Sequence, residues 1–245
     1  FCLQLWPVYI GKYEAERMSG DMSASLVPYL LDPYIIEGGG SILFGPPENG
    51  KSYTAMIMAV CMDAGLSHLF PVRQCNVQYV NLERPAKSMS RRLARVNYAL
   101  NLERDRPLLT LNARGRSLAD VADGVKLSIK KNHVECVILD SLSRAGRGNL
   151  NDNDVGNGVI DILNSFDVAW FALGHTPRDN VTHLFGSQMF DAAADVMVQS
   201  LSERSLGGTL GIGLQVTKAN DMPRTPMRLF AYDFDPDFGL ERIRT

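Results

Sequence analysis

The sequence predicts an α/β protein: a mostly parallel central sheet with helices on both faces and antiparallel strands at its C-terminal end. Three observations carry this expectation. Short apolar, β-rich runs alternate with stretches whose apolar residues recur near helical spacing, which is how strands buried on both faces and their covering helices read. A glycine-bounded turn joins the first of these strands to the first of these helices. Beyond about Asp195 the rhythm changes to strands separated by Gly-rich or Pro-containing turns, as in hairpins.

Residues 1–30 read as an N-terminal segment for packing or subunit contact, and residues 31–245 as one domain. Within that domain the strands are expected at Ser41–Phe44, Val77–Leu82, Leu108–Leu111, Cys136–Asp140 and Val168–Leu173. Between them, SYTAMIMAVCMDAG, AKSMSRRLARVNYAL, SLADVADGVKLSIKKN and DVGNGVIDILNSF have helical spacing. DVMVQSL, LGIGLQVTK and MRLFAY supply the closing strands. Two loops are long and polar for mere connections: Ser143–Gly158, with four glycines and two arginines, and Gly174–Gln188. Both follow strand ends, and ligands of open α/β sheets bind at the carboxyl ends of strands.

Composition excludes more than it assigns. With 245 residues, 45% hydrophobic and 21% charged, the chain can bury a large core. A formal charge of −2 gives no global basic field, so any nucleic-acid contact has to come from local loops. Cys2, Cys61, Cys75 and Cys136 are widely spaced and read as buried free thiols of a reducing compartment. The four histidines form no His-x-x-x-His cluster. No apolar run is long enough to span a bilayer, and FCLQLWPVYI lacks the basic flank of a signal peptide, so a cytoplasmic protein without a membrane partner is expected. The start at Phe1 rather than Met suggests missing N-terminal sequence.

The chemistry is concentrated in GPPENGKS, Gly45 to Ser52. Its glycines permit a tight turn whose backbone N–H groups converge on phosphate oxygens at a helix N-terminus. In this Walker A pattern Lys51 reaches the β and γ phosphates and the Ser52 hydroxyl ligates Mg²⁺. Gly45, Pro46, Pro47, Glu48, Asn49, Gly50, Lys51, Ser52 and Tyr53 are therefore the expected binding residues for ATP, with Mg²⁺ as cofactor. A hydrolase also needs acidic groups. Asp140 ends an apolar strand, where a carboxylate is costly unless it faces a cation; the plain alternative is an N-cap for the following turn. Glu83 ends the strand VQYVNLE just before Arg84-Pro85 and can orient the attacking water, or it simply pairs with Arg84.

This ordered set, P-loop, Glu83, Asp140 and then ALGHTPR, resembles the RecA-like ATPase fold, and within it the RepA-type hexameric replicative helicases and their phage- or plasmid-encoded relatives. The resemblance runs from VPYLLDPYIIEGGG to VTKANDMPRTP. It implies that Glu83 is the catalytic glutamate, Asp140 the Walker B aspartate and His175 a polar sensor that couples the γ phosphate to a nucleic-acid-facing loop. It also implies a basic group offered in trans by a neighbouring subunit of a hexameric ring, for which Lys218 and Arg224 are the candidates. Ordinary surface charges are the alternative for both. Glu48 departs from the usual loop by placing a negative charge near phosphates, and LGIGLQVTK carries no internal arginine.

In RecA-like motors the loops after the Walker B and sensor strands line the central channel. Here they carry Arg144, Arg147 and Arg178, suited to sequence-independent contact with a single-stranded DNA backbone, with Phe185 and Phe190 as the nearby aromatic rings. Solvated loops are the alternative. The leading expectation is thus an ATP-driven ring motor on single-stranded DNA. Its rivals are an ATP-gated recombinase or mediator filament and a nucleotide switch without nucleic acid. A small-molecule kinase lacks its acceptor domain and Arg-rich lid.

Overall fold

The computed structural model describes residues 15, 17–20, 27–177, 181–220, 222–223 and 225–245. Its centre is a nine-stranded sheet in the order β11-β10-β9-β8-β3-β7-β6-β4-β5. The strands are β3 (Gly40–Gly45), β4 (Val77–Asn81), β5 (Thr110–Asn112), β6 (Cys136–Asp140), β7 (Ala169–His175), β8 (Val196–Arg204), β9 (Leu210–Ala219), β10 (Arg228–Asp235) and β11 (Gly239–Arg244). From β8 to β5 every neighbouring pair is parallel. β9, β10 and β11 add on antiparallel, as the change of rhythm predicts. A small hairpin of β1 (Tyr29–Leu31) and β2 (Ile35–Ile36) precedes the sheet.

The helices are α1 (Lys51–Ala64), α2 (Ala86–Ala99), α3 (Leu118–Asn132), α4 (Leu142–Ala145), α5 (Asn153–Asn164) and α6 (Gln188–Ala193). Alternation along each strand sends side chains to two separate cores. Leu43, Val77, Tyr79, Ile138 and Phe171 face α1 and α2. Ile42, Val80, Leu82, Leu139 and Trp170 face α3 and α5. Helix α1 is buried along almost its whole length because β1 and the antiparallel strands close over it. It stops at Gly65, whose left-handed conformation (φ 69°) returns its N–H to the carbonyls of Cys61 and Met62. Helix α3 starts in a capping box, Ser117 with Asp120, and ends in Lys130 and Lys131, charges that suit the two ends of the helix dipole.

The differences from expectation have local causes. β1, β2 and β11 are too short, or too mixed in polarity, to show as apolar runs. β1 spans residue 30, and Leu30 and Leu31 are fully buried in the first core. β5 lies two residues later than expected because Leu108 packs into the core rather than pairing. Helices α4 and α6 occupy parts of the two polar loops; Ser187 caps α6 by accepting from the Met189 N–H, while Ser141 gives α4 no side-chain cap. Cys61, Cys75 and Cys136 are free and buried, while Cys2 lies outside the described residues. No helix among the described residues is long and apolar enough to cross a membrane.

β3 and β7 approach so closely that Gly40 has no room for a side chain. A Cβ there would collide with the Trp170 ring, which is buried and donates its indole N–H to Asn164 Oδ1 at 3.0 Å. Gly40→Ala is expected to lower stability by about 1–3 kcal/mol, the usual cost of overpacking. The denaturant midpoint measures this, and a midpoint equal to the parent's would show that the ring can move away.

Candidate active site

The strand order β3-β7-β6-β4 sets four chain positions in one row along the carboxyl edge of the sheet. Gly45, where β3 ends, pairs in register with His175 at the end of β7. Asp140, at the end of β6, pairs with Asn81 at the end of β4. The chain leaving β4 stays alongside, with the Leu82 N–H bonded to the Asp140 carbonyl at 2.8 Å, and so brings Glu83 beside Asp140. Lys51, Ser52, Glu83, Asp140 and His175 all line one cavity of about 340 Å³.

The loop itself is fixed by its special backbone. Gly50 is left-handed (φ 83°, ψ 0°) at the N-cap of α1 and gives the helix no side-chain cap, which leaves the first-turn N–H groups directed at a phosphate site. Glu48 is also left-handed (φ 63°), uncommon for a residue with a side chain, and is exposed. Asn49 is buried: its amide donates to the Ser200 carbonyl at 2.7 Å and its Oδ1 accepts from Lys51 at 3.1 Å. Its side chain therefore braces the loop against β8, and only its backbone is left to meet a ligand. The Lys51 ammonium donates to the carbonyls of Gly45 (2.8 Å) and Pro46 (2.6 Å). Burial lowers its pKa to about 8, against the opposing pull of Asp140 and Glu83.

Each acidic group is held by a neighbouring hydroxyl. Asp140 is buried and accepts from Tyr79 Oη at 2.9 Å, with Ser52 on it as well. Burial pushes its carboxyl above the usual range; the hydrogen bonds from Tyr79 and Ser52 and the Arg92 charge oppose that, and Glu83 adds to it. Glu83 accepts from Ser141 Oγ at 2.9 Å, and Ser141 in turn meets Ser143 Oγ at 2.7 Å. No ion pair joins Glu83 to Arg84 among the described residues; instead the Asn81 side chain accepts from both of their N–H groups and donates to the Arg84 carbonyl. His175 is half-buried, with Nδ1 unpartnered among the described residues. Burial and the Lys51 charge lower its pKa below the ordinary value, against Glu83 and Asp140.

Ser52 and Asp140 supply two oxygen donors beside the P-loop, a set that fits a hard cation such as Mg²⁺. Among the described residues no group of three or more His, Cys, Asp or Glu is placed to cage a metal. A cation here would complete its shell with phosphate and water oxygens, as Mg²⁺ in nucleotide sites commonly does. Tyr79→Phe removes one donor to Asp140 and nothing else. It is expected to raise the Mg²⁺ concentration for half-maximal nucleotide turnover several-fold and to cost about 1 kcal/mol of stability. A magnesium titration checks the first effect, chemical denaturation the second.

The other expected site residues are placed differently. Lys218 caps α6 within its own chain, its ammonium on the carbonyls of Asp191 (2.6 Å), Ala192 (3.3 Å) and Ala194 (2.7 Å), so the expected contact with a neighbour's nucleotide finds no support. Arg147 pairs with Asp120 and reaches Ser117 Oγ, at the start of α3, rather than standing free. Arg144 is exposed, with no ion pair among the described residues. Arg178 and Arg224 lie outside the described residues. Phe190 is fully buried and offers no stacking face, whereas Phe185 is 42% exposed.

Sequence reasoning missed Tyr79, Asn81, Ser141 and Arg92. Arg92 lies over the Tyr53 ring at 4.4 Å and lines the cavity, and Tyr53 meets Phe234 edge-on at 5.3 Å. Asn81 left a trace, as a polar residue inside an apolar strand. An arginine on an amphipathic helix left none.

The comparisons agree with this geometry. Residues 19–181 match the AAA domain family. The chain superposes on a KaiC-like protein from the hyperthermophilic archaeon Pyrococcus horikoshii OT3 with a TM-score of 0.59 and 14% identity, over 88% of this chain and 94% of the other. No curated protein matches the sequence. With the family covering most of its length, and a RecA-like P-loop ATPase fold around the Gly45–Ser52 turn, the chain belongs to the AAA domain family.

Proposed function

We propose that the protein is a Mg²⁺-dependent ATP hydrolase that works as a ring-forming motor on single-stranded DNA. The observation that supports it best is the meeting of Glu83 and Asp140, from adjacent strands, with Lys51, Ser52 and His175 at one cavity. A mere nucleotide binder needs the P-loop; a second carboxylate beside the Walker B position serves hydrolysis.

The residues divide the work. The loop N–H groups and Lys51 hold the phosphates, and Lys51 neutralises charge on the terminal group. Ser52 and Asp140 would hold Mg²⁺, which when bound screens the phosphate oxygens. Glu83, kept in place by Ser141, accepts a proton from the attacking water and aims it at the terminal phosphorus. His175 lies in the row between the P-loop strand and the carboxylates, with its pKa lowered by burial and the Lys51 charge, and reads the terminal phosphate through a hydrogen bond. In the hexameric ring we propose, as in the helicases the sequence resembles, a neighbouring subunit supplies a further cation, and turnover should rise steeply with protein concentration.

One observation favours a second reading, a nucleotide switch that binds no nucleic acid: Arg147 is held by α3, so the loop after β6 has fewer free charges than its composition suggests. ATP hydrolysis measured with and without single-stranded DNA separates the two. Stimulation of about tenfold or more supports the motor, and indifference supports the switch. Weak stimulation with stable coating of the strand would instead indicate a recombinase-like filament.

A further inference from the structure

Helix α2 and the turn between β10 and β11 enclose a separate cavity of about 250 Å³, and none of its lining residues lines the nucleotide cavity. Arg91, Arg95 and Tyr98 reach it from one face of α2, at relative positions i, i+4 and i+7, and Arg104 joins them from the loop that follows. The Arg104 guanidinium lies over the Tyr98 ring, 4.4 Å from its centre. The Arg95 guanidinium lies on the turn itself: Gly239 is left-handed (φ 78°), and a Cβ there would come within 2.6 Å of Cζ, Nη1 and Nε of Arg95. Asp235 Oδ1 fixes the turn by accepting from the N–H groups of Asp237 and Phe238, at 2.8 Å each, and the Phe238 ring stands 68% exposed at the mouth. Cations on a solvated helix face commonly pair with carboxylates three or four residues away, but α2 contains no acidic residue. Among the described residues none of the three guanidiniums makes an ion pair, with Asp237 of the same wall or with any other group. In a chain of formal charge −2 this is a local excess of positive charge beside exposed aromatic rings.

We propose that this cavity docks an acidic segment of a partner protein, seating one aromatic side chain against Phe238 and Tyr98 and giving its carboxylates to Arg91, Arg95 and Arg104. The planar guanidinium fork matches a carboxylate with two parallel hydrogen bonds, and it is weakly hydrated, so it gives up little to make them. Arginine beside exposed aromatic rings is also the side-chain set that dominates binding energy where proteins meet. The extent of the charge favours a peptide over a nucleic-acid strand. Phosphates recur along a strand and are met by a track of cations. Here the positive charge is one cavity wide: exposed Glu103 and Asp105 flank Arg104, and Asp237 stands in the wall. Those carboxylates repel a polyanion, whereas Asp237 can accept a main-chain N–H, which every peptide residue but proline carries. The proposal does not depend on the single-strand reading, because no group of the nucleotide site takes part in it.

The test uses the full chain and a fluorescein-labelled octapeptide of aspartate and glutamate with one central phenylalanine, read by fluorescence anisotropy. Two control peptides replace the phenylalanine by alanine, or every acid by its amide. The parent is expected to bind the first peptide about tenfold more tightly than either control, and less tightly as salt rises. Arg91→Glu combined with Arg104→Glu reverses two exposed charges and should weaken binding by about thirtyfold or more. Phe238→Ala should erase the preference for phenylalanine over alanine, and Phe238→Tyr should keep it. Both alanine and charge-reversed proteins should retain the parent's thermal midpoint and its ATP hydrolysis within about twofold, since these side chains are exposed and outside the nucleotide site. Failure of the parent to bind the acidic peptide would overturn the proposal, as would binding that survives the charge reversal or ignores the phenylalanine. Displacement of the bound peptide by an oligothymidylate at lower concentration than by unlabelled peptide would assign the surface to nucleic acid and overturn it too.

Discussion

Glu83→Gln is expected to reduce ATP turnover by about a thousandfold while leaving nucleotide affinity within about threefold of the parent. The amide keeps the shape of the carboxylate and can still accept the hydrogen bond that Ser141 Oγ gives at 2.9 Å, so the turn after β4 should hold. That turn does not depend on the carboxylate in any case, since the Asn81 side chain bonds the N–H groups of Glu83 and Arg84. What the substitution removes is a base able to take a proton from water. Single-turnover hydrolysis together with equilibrium binding of a fluorescent ATP analogue separates the two effects. Turnover at the parent rate would show that Glu83 is a structural neighbour of Asp140 and that the base lies elsewhere.

The parts of the site legible in the sequence are those in which one residue type does one job at a fixed spacing. Gly45, Gly50, Lys51 and Ser52 are readable because a phosphate cradle tolerates few other residues. Asp140 and Glu83 are readable because a charge at the end of an apolar strand demands a reason. The parallel strands likewise announce themselves as uninterrupted apolar runs, since both of their faces are buried. Illegible were features created by the fold itself. Tyr79 looks like any β-favouring core residue until β4 and β6 pair and its hydroxyl meets Asp140. Ser141 reads as a loop hydroxyl until Glu83 comes alongside. Lys218 and Arg147 misled for the converse reason: a basic residue in a polar stretch appears free in sequence, and only tertiary contacts show it spent on helix ends, the carbonyls of α6 and the first turn of α3. Strand order, which brings His175 between the P-loop and the carboxylates, rests on contacts between residues far apart in the chain, and no local pattern encodes it.

Lys51→Ala carries the other large effect, and the structure gives it two separable parts. In the loop seen here the ammonium is bound by the Gly45 and Pro46 carbonyls and by Asn49 Oδ1, and burial has already drawn its pKa down to about 8. The charge sits on its own loop at a desolvation cost that a phosphate would relieve, so nucleotide binding should pull Lys51 off these carbonyls and strengthen it as a cation. Alanine loses that term entirely. ATP affinity should fall by about a hundredfold, in line with two hydrogen bonds to a charged group, and turnover should become unmeasurable. Without ligand the fold should suffer little: the loop carbonyls regain water, and Asn49 still anchors to the Ser200 carbonyl at 2.7 Å. Thermal unfolding with and without ATP and Mg²⁺ reads both parts together. The parent should gain several degrees on adding nucleotide, and Lys51→Ala should start near the parent's unliganded midpoint and gain almost nothing. A large drop in the unliganded midpoint would show that Lys51 is a structural pin of the loop, and an undiminished gain with nucleotide would show that the phosphates are held elsewhere.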